Sequence, residues 1–228
     1  GAAPLPDNQR YFTKLGGYDA WFARVNQNYG QTTNLTLEAS FIGSTGDGNF
    51  DALYGCETPE NFYVGVETNN TLWAQDGNYT GYQGPVLDLT KINRVKMVAN
   101  GVAIKYYVNG SLASEHPQQF SGNLSIYSLG RIFGGSYFGG IIVSARVTTD
   151  TRDDVYNLDT NLDYQLADGE TDPLADSTLN LLGTPVDRLL VTETATGFLG
   201  EDGTVYDYAA GAAPEVGSYS DSYTDSYE

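Results

Sequence analysis

Between residues 35 and 147 the chain repeatedly places apolar side chains at every second position. Leu35, Leu37, Ala39 and Phe41 alternate with Thr36, Glu38 and Ser40. The same rhythm returns at Phe62, Val64 and Val66, at Val95, Met97 and Ala99, and at Val102, Ile104, Tyr106 and Val108. It returns again at Ile141, Val143, Ala145 and Val147. Alternate residues share a face only in an extended chain, so this period predicts half-buried β-strands. Asn100-Gly101 falls between two of these segments and accepts positive φ angles. It predicts a tight hairpin pairing 92–99 with 102–108. Asn109-Gly110 closes the second strand with another such turn, and Gly-, Asn- and Asp-rich runs at 43–49, 76–84 and 134–140 part the remaining strands. Many short strands with frequent turn signals predict an antiparallel sandwich or barrel.

Charge divides the chain. The 228 residues hold 11 Lys plus Arg and 29 Asp plus Glu, a net charge of −18. Residues 1–149 carry 11 acidic and 9 basic side chains, whereas residues 150–228 carry 18 acidic and only Arg152 and Arg188. The shift predicts a nearly neutral globular part followed by an acidic extension. Such a balance argues against nucleic acid and against anionic membrane surfaces, both of which attract cationic faces. No apolar run approaches the roughly 18 residues of a membrane span. A hydrophobic fraction of 40% suffices for a core and argues against disorder throughout. Cys56 stands alone, so it forms no internal disulfide and reads as a small buried hydrophobe. The start at Gly1, with neither Met nor signal peptide, reads as a processed product or a fragment.

The run Arg94-Val-Lys-Met-Val-Ala-Asn-Gly-Val-Ala-Ile-Lys-Tyr-Tyr-Val-Asn-Gly110 resembles a hairpin of the concanavalin-A-like jelly rolls of laminin-G and pentraxin type. Phe138-Gly-Gly-Ile-Ile-Val-Ser-Ala-Arg146 resembles their closing strand, and Asp19-Ala-Trp-Phe-Ala-Arg24 fits their opening. The resemblance covers residues 10–148 and implies an all-β, antiparallel jelly-roll sandwich with an acidic, partly extended C-terminal segment. The expected division is an arm at 1–9, the sandwich at 10–149, an acidic β-rich extension at 150–210 and a low-complexity tail at 211–228.

Within the extension, Val155-Tyr-Asn-Leu158 and Arg188-Leu-Leu-Val-Thr-Glu193 suggest short strands around an Asp-rich stretch at 168–176. Tyr156-Asn-Leu-Asp159 and Ala175-Asp-Ser177 resemble segments that follow such modules in bacteriophage tail and other virion proteins. The tail repeats Ser-Tyr-Ser/Thr-Asp. As a strand it would put Tyr219, Asp221, Tyr223, Asp225 and Tyr227 on one face. That pattern suits packing of the tail, or of the N-terminal arm, on a neighbouring subunit by strand addition or similar exchange. Deleting 211–228 is expected to abolish assembly and leave the sandwich folded.

The chemistry legible in the residues is sparse. His116 has no Gly-x-Ser-x-Gly elbow to serve and reads as a surface histidine. Glycosidases of this fold carry Glu-x-Asp-x-Glu on one strand, and the chain lacks that motif. No zinc spacing exists. Ca²⁺ fits better than other metals, at Asp47, Asn49 and Asp51 in a Gly-rich loop, although a solvated acidic loop fits the same residues. A second acidic cluster lies at Asp168, Glu170, Asp172 and Asp176. Trp73, Tyr79 and Tyr82 lie in or beside the loop Asp76-Gly-Asn-Tyr-Thr-Gly-Tyr-Gln-Gly84 and form a candidate glycan platform. The same three also read as a core tryptophan with turn tyrosines. Five Asn-x-Ser/Thr sequons, at Asn34, Asn69, Asn78, Asn109 and Asn123, permit glycosylation.

The expectation is a non-enzymatic structural and adhesive subunit of an extracellular assembly, foremost a bacteriophage or viral particle, with a lectin-like fold that contacts glycans. Its partners would be copies of itself, other subunits and cell-surface glycans. The competing expectation is a secreted carbohydrate-active enzyme or a free lectin.

Overall fold

The computed structural model describes residues 4–16, 23–43, 50–56, 62–130, 132, 138–156 and 187–214. All regular elements among them are strands: β1 (Gln9–Gly16), β2 (Ala23–Gln31), β3 (Asn34–Gly43), β4 (Asp51–Gly55), β5 (Tyr63–Val66), β6 (Thr71–Gln75), β7 (Gly81–Val86) and β8 (Asn93–Asn100). There follow β9 (Ile104–Val108), β10 (Ser111–His116), β11 (Asn123–Leu129), β12 (Gly139–Thr149), β13 (Asp153–Tyr156), β14 (Asp187–Glu193), β15 (Gly197–Gly200) and β16 (Val205–Asp207). Among the described residues no helix is long and apolar enough to cross a membrane.

The strands form two antiparallel sheets of a jelly-roll sandwich. The larger is ten-stranded, in the order β10-β9-β8-β3-β12-β1-β14-β15-β16, with β13 on β12 beside β1. The smaller is six-stranded, in the order β2-β11-β4-β5-β6-β7. The core between them is built from the alternation seen in the sequence. Leu35, Leu37, Ala39 and Phe41 of β3 meet Val64, Val66, Leu72, Ala74 and Tyr82 of the smaller sheet. Cys56 belongs to this core. A latch joins the sheets at one margin. The Tyr29 hydroxyl donates to Asp154 Oδ2 at 2.7 Å, and the Arg152 guanidinium lies over the Tyr29 ring at 4.5 Å.

The two Asn-Gly pairs differ. At Asn109-Gly110 both residues have positive φ, 52° and 87°, and Val108 pairs directly with Ser111, which is the tight two-residue turn. At Asn100-Gly101 the last pair is Ala99 with Ile104, so the loop is longer than expected and β9 starts at Ile104 instead of Val102. The Asn100 side chain is the reason: its Oδ1 accepts from the amides of Val102 and Ala103 and props the loop open.

The acidity changes sharply near residue 150, but the sheet does not break there. β14 pairs with β1 from Gln9↔Thr192 to Lys14↔Asp187, so residues on both sides of the charge boundary share one sheet. The end of this sheet folds back over its own outer face. Ile92, just before β8, donates its amide to Asp207 O at 2.8 Å, and its carbonyl accepts from Ala209 N at 2.9 Å. The fold-back encloses a second core of Phe12, Ile92, Ile141, Val143, Leu189, Val191, Phe198 and Tyr206. Ile141 and Val143 flank Ile142, which faces the main core, so the second core lies on the far side of the larger sheet. Three acids of the last third meet bases of the sandwich part: Glu193 with Arg10 (3.8 Å), Asp202 with Lys14 (3.5 Å) and Asp207 with Lys91 (3.6 Å).

Candidate functional site

Core-facing Val64 and Val66 leave Tyr63 and Gly65 on the outer face of the six-stranded sheet. On β6, Leu72 and Ala74 face the core and Trp73 and Gln75 face out. On β7, Tyr82 faces the core and Gly81 and Gln83 face out. The register sets Gly65 opposite Trp73, Tyr63 opposite Gln75, and Gln75 opposite Gly81.

The two glycines are bays for aromatic rings. A Cβ on Gly81 would lie 2.1 Å from Trp73 Cζ2, so the indole lies across β7. A Cβ on Gly65 would lie 2.7 Å from the ring edge of Phe50. Phe50 in turn meets Tyr63 edge to face, with centroids 4.9 Å apart. Phe50, Tyr63 and Trp73 are all half-buried, which leaves part of each ring open to solvent. The Tyr63 hydroxyl donates to Gln75 Oε1 at 3.1 Å. Burial raises the Tyr63 hydroxyl above the ordinary tyrosine range, and the nearby Trp73 indole partly offsets this. Trp73 Nε1 is itself buried, on the side of the Tyr63 hydroxyl.

Charge lies at the margins of this face: the Glu67 carboxylate, just past β5, acts on the Tyr63 hydroxyl, and β2 brings Arg24 into register with Ser128 of β11. No outward position within β5, β6 or β7 is ionisable as an acid or a base at neutral pH, and the outward residues of β11 include Asn123, Ser125 and Tyr127. The outer face of the larger sheet is the opposite, with Glu38 of β3 set between Lys96 and Arg146 of its neighbours.

The three aromatics expected to act together are separated. Trp73 belongs to the outer face just described. Tyr82 lies within β7 and not in a loop, and it faces inward. It is 2% exposed, and its hydroxyl donates to Asp76 Oδ2 at 3.0 Å; burial pushes its pKa up to about 12. Tyr79 stands at the tip of the β6–β7 turn, 70% exposed, with φ at 65°. Asp76, fully buried, builds that turn: Oδ1 accepts from the amides of Asn78 and Thr80, and Oδ2 from Ser121 N and Oγ.

Of the expected Ca²⁺ ligands, Asp47 and Asn49 lie outside the described residues. Asp51 opens β4 and is 2% exposed. Asp168, Glu170, Asp172 and Asp176 also lie outside them. Among the described residues no three of His, Cys, Asp and Glu gather as a metal site. His116 is on the edge strand β10, where Nε2 donates to Gln83 O at 2.6 Å and ties the two sheets' edges together.

Phe50, Tyr63, Gln75 and Gln83 were not singled out from the sequence. The alternation at 62–66 put Tyr63 and Gly65 on one face, but only the register of β5 on β6 sets Trp73 beside them.

No family model matches the chain, and no curated protein matches it. Solved structures similar to it include a heptameric SAP-like pentraxin from Limulus polyphemus, 16% identical, covering 63% of this chain and 77% of that one, TM-score 0.46. The CBM40 of a Ruminococcus gnavus IT-sialidase, bound to α2,3-sialyllactose, is 17% identical, covering 57% and 91%, TM-score 0.44. Domains LG4-5 of the mouse laminin α1 chain are 13% identical, covering 68% and 45%, TM-score 0.47. The jelly-roll assignment rests on the strand order and the shared core of the two sheets.

Proposed function

We propose that this chain is a non-catalytic, lectin-like adhesive module that holds glycans on the outer face of its six-stranded sheet. The observation that carries the reading is the aromatic face, with Trp73 laid over Gly81 and Phe50 over Gly65. A pyranose has an apolar C–H face and a rim of hydroxyls. Flat aromatic surface beside the amides of Gln75 and Gln83 complements both. The non-catalytic reading is drawn from the sequence, which lacks the Glu-x-Asp-x-Glu strand motif of glycosidases of this fold. We further place the module in an extracellular assembly, with a bacteriophage or viral particle as the first candidate. That setting is supported by the sequence resemblance at 156–159 and 175–177.

A glycan array probed with the labelled chain and with Trp73→Ala tests the reading. Glycan signals that disappear in Trp73→Ala are expected. An array that stays blank for the native chain, or signals that Trp73→Ala retains, would reject it.

A further inference from the structure

We propose that this face selects uncharged saccharides and turns away sialylated, uronic and sulfated ones; the inference rests on the glycan reading above. An acidic sugar is normally held by a cation, because its carboxylate or sulfate must exchange water for a charged donor. The outward positions of β5, β6, β7 and β11 offer no Lys, Arg or His, and the base that this sheet does carry, Arg24 of β2, lies three strands from Tyr63. The charge placed beside the face is negative, since the Glu67 carboxylate acts on the Tyr63 hydroxyl and opposes a second anion there. The basic side chains of the larger sheet stand on the opposite side of the sandwich, where Lys96 and Arg146 flank Glu38. What the aromatic face does offer suits a neutral ring: flat carbon surface and amide groups that accept and donate without a net charge.

The extent of the face sets a minimum ligand size. Gly65 and Gly81 lie two strands and one pair-step apart, about 10–12 Å by strand spacing and rise, or roughly two pyranose rings. A single monosaccharide would cover only one of the two aromatic bays.

The test is calorimetric titration of the full chain with cellotetraose, mannotetraose and galactotetraose on one side, and sialyllactose, tetragalacturonate and a heparin tetrasaccharide on the other. Binding of a neutral chain is expected, weakened about tenfold or more in Trp73→Ala and insensitive to salt. Gln83→Lys, at an exposed position that spares the core, is expected to create affinity for an acidic chain. Preference for an acidic chain, lost in Trp73→Ala, would overturn the selectivity and leave the glycan reading standing. Binding of neither class would overturn both.

Discussion

One buried carboxylate, Asp76, decides where Tyr79 stands. Its two oxygens accept from the amides of Asn78 and Thr80 in the turn, from Ser121 N and Oγ in the segment between β10 and β11, and from the Tyr82 hydroxyl. Asp76→Ala should cost about 3 kcal/mol or more in urea unfolding, because those donors lose their acceptor inside the protein. Tyr79 itself takes φ of 65°, a conformation that costs a side chain of this size about 1–3 kcal/mol. Tyr79→Gly should therefore stabilise the fold by about 1 kcal/mol in the same assay. Asp153 makes a small acid-sensitive contribution to stability. Two hydrogen bonds from Arg146, at 2.8 and 2.6 Å, hold its carboxyl below the ordinary value of 3.8. The folded form thus binds this proton more weakly than the unfolded form does. The contribution is complete above pH 3.8 and is lost as pH falls through the lowered value. The pair is largely exposed, so the effect is at most about 1 kcal/mol. Arg146→Ala should flatten that part of the stability curve between pH 5 and pH 2, followed by chemical denaturation.

At the scale of elements, the β5–β6–β7 ribbon makes the aromatic face, and glycine makes room for it. Gly81→Ala would place a methyl 2.1 Å from the Trp73 ring, which has open solvent above it and can lift. The expected result is a folded protein with altered tryptophan emission and weakened glycan binding. Gly65→Ala is different, since its methyl would also meet Asp51 O at 2.1 Å, and backbone cannot swing aside. It should destabilise by about 1–3 kcal/mol in thermal or urea unfolding. The hairpins teach a related lesson. Asn100-Gly101 and Asn109-Gly110 are the same dipeptide after similar strands, yet only the second makes a two-residue turn. The difference lies in what the asparagine side chain finds: Asn109 Oδ1 accepts from Arg94 N of the neighbouring β8, and Asn100 Oδ1 turns back onto its own loop.

At the scale of the molecule, the acidic last third is partly a wall of the sandwich. Residues 187–214 cover Phe12, Ile141 and Val143, and the acids Glu193, Asp202 and Asp207 lie against Arg10, Lys14 and Lys91. A deletion intended to probe assembly must therefore begin beyond Pro214, because Ala212 is buried and Gly211 O accepts from Arg94. Truncation after Pro214 should leave the melting temperature within a few degrees of the native chain. Truncation after Tyr156 should expose the second core and produce aggregation on size-exclusion chromatography.

The sequence by itself determined the fold class and most strands, because alternation is a local property: it assigns Leu35, Leu37 and Phe41 to a buried face wherever that face points. It also exposed the charge boundary near residue 150, which is a matter of counting. Only the tertiary structure decided which strands touch. Register across β5, β6 and β7 brought Tyr63 and Trp73 onto one face and turned Tyr82 away from it. Pairing of β1 with β14 carried the acidic strands into the main sheet across more than 170 residues. Both depend on contacts between residues far apart in the chain, and no local pattern encodes those.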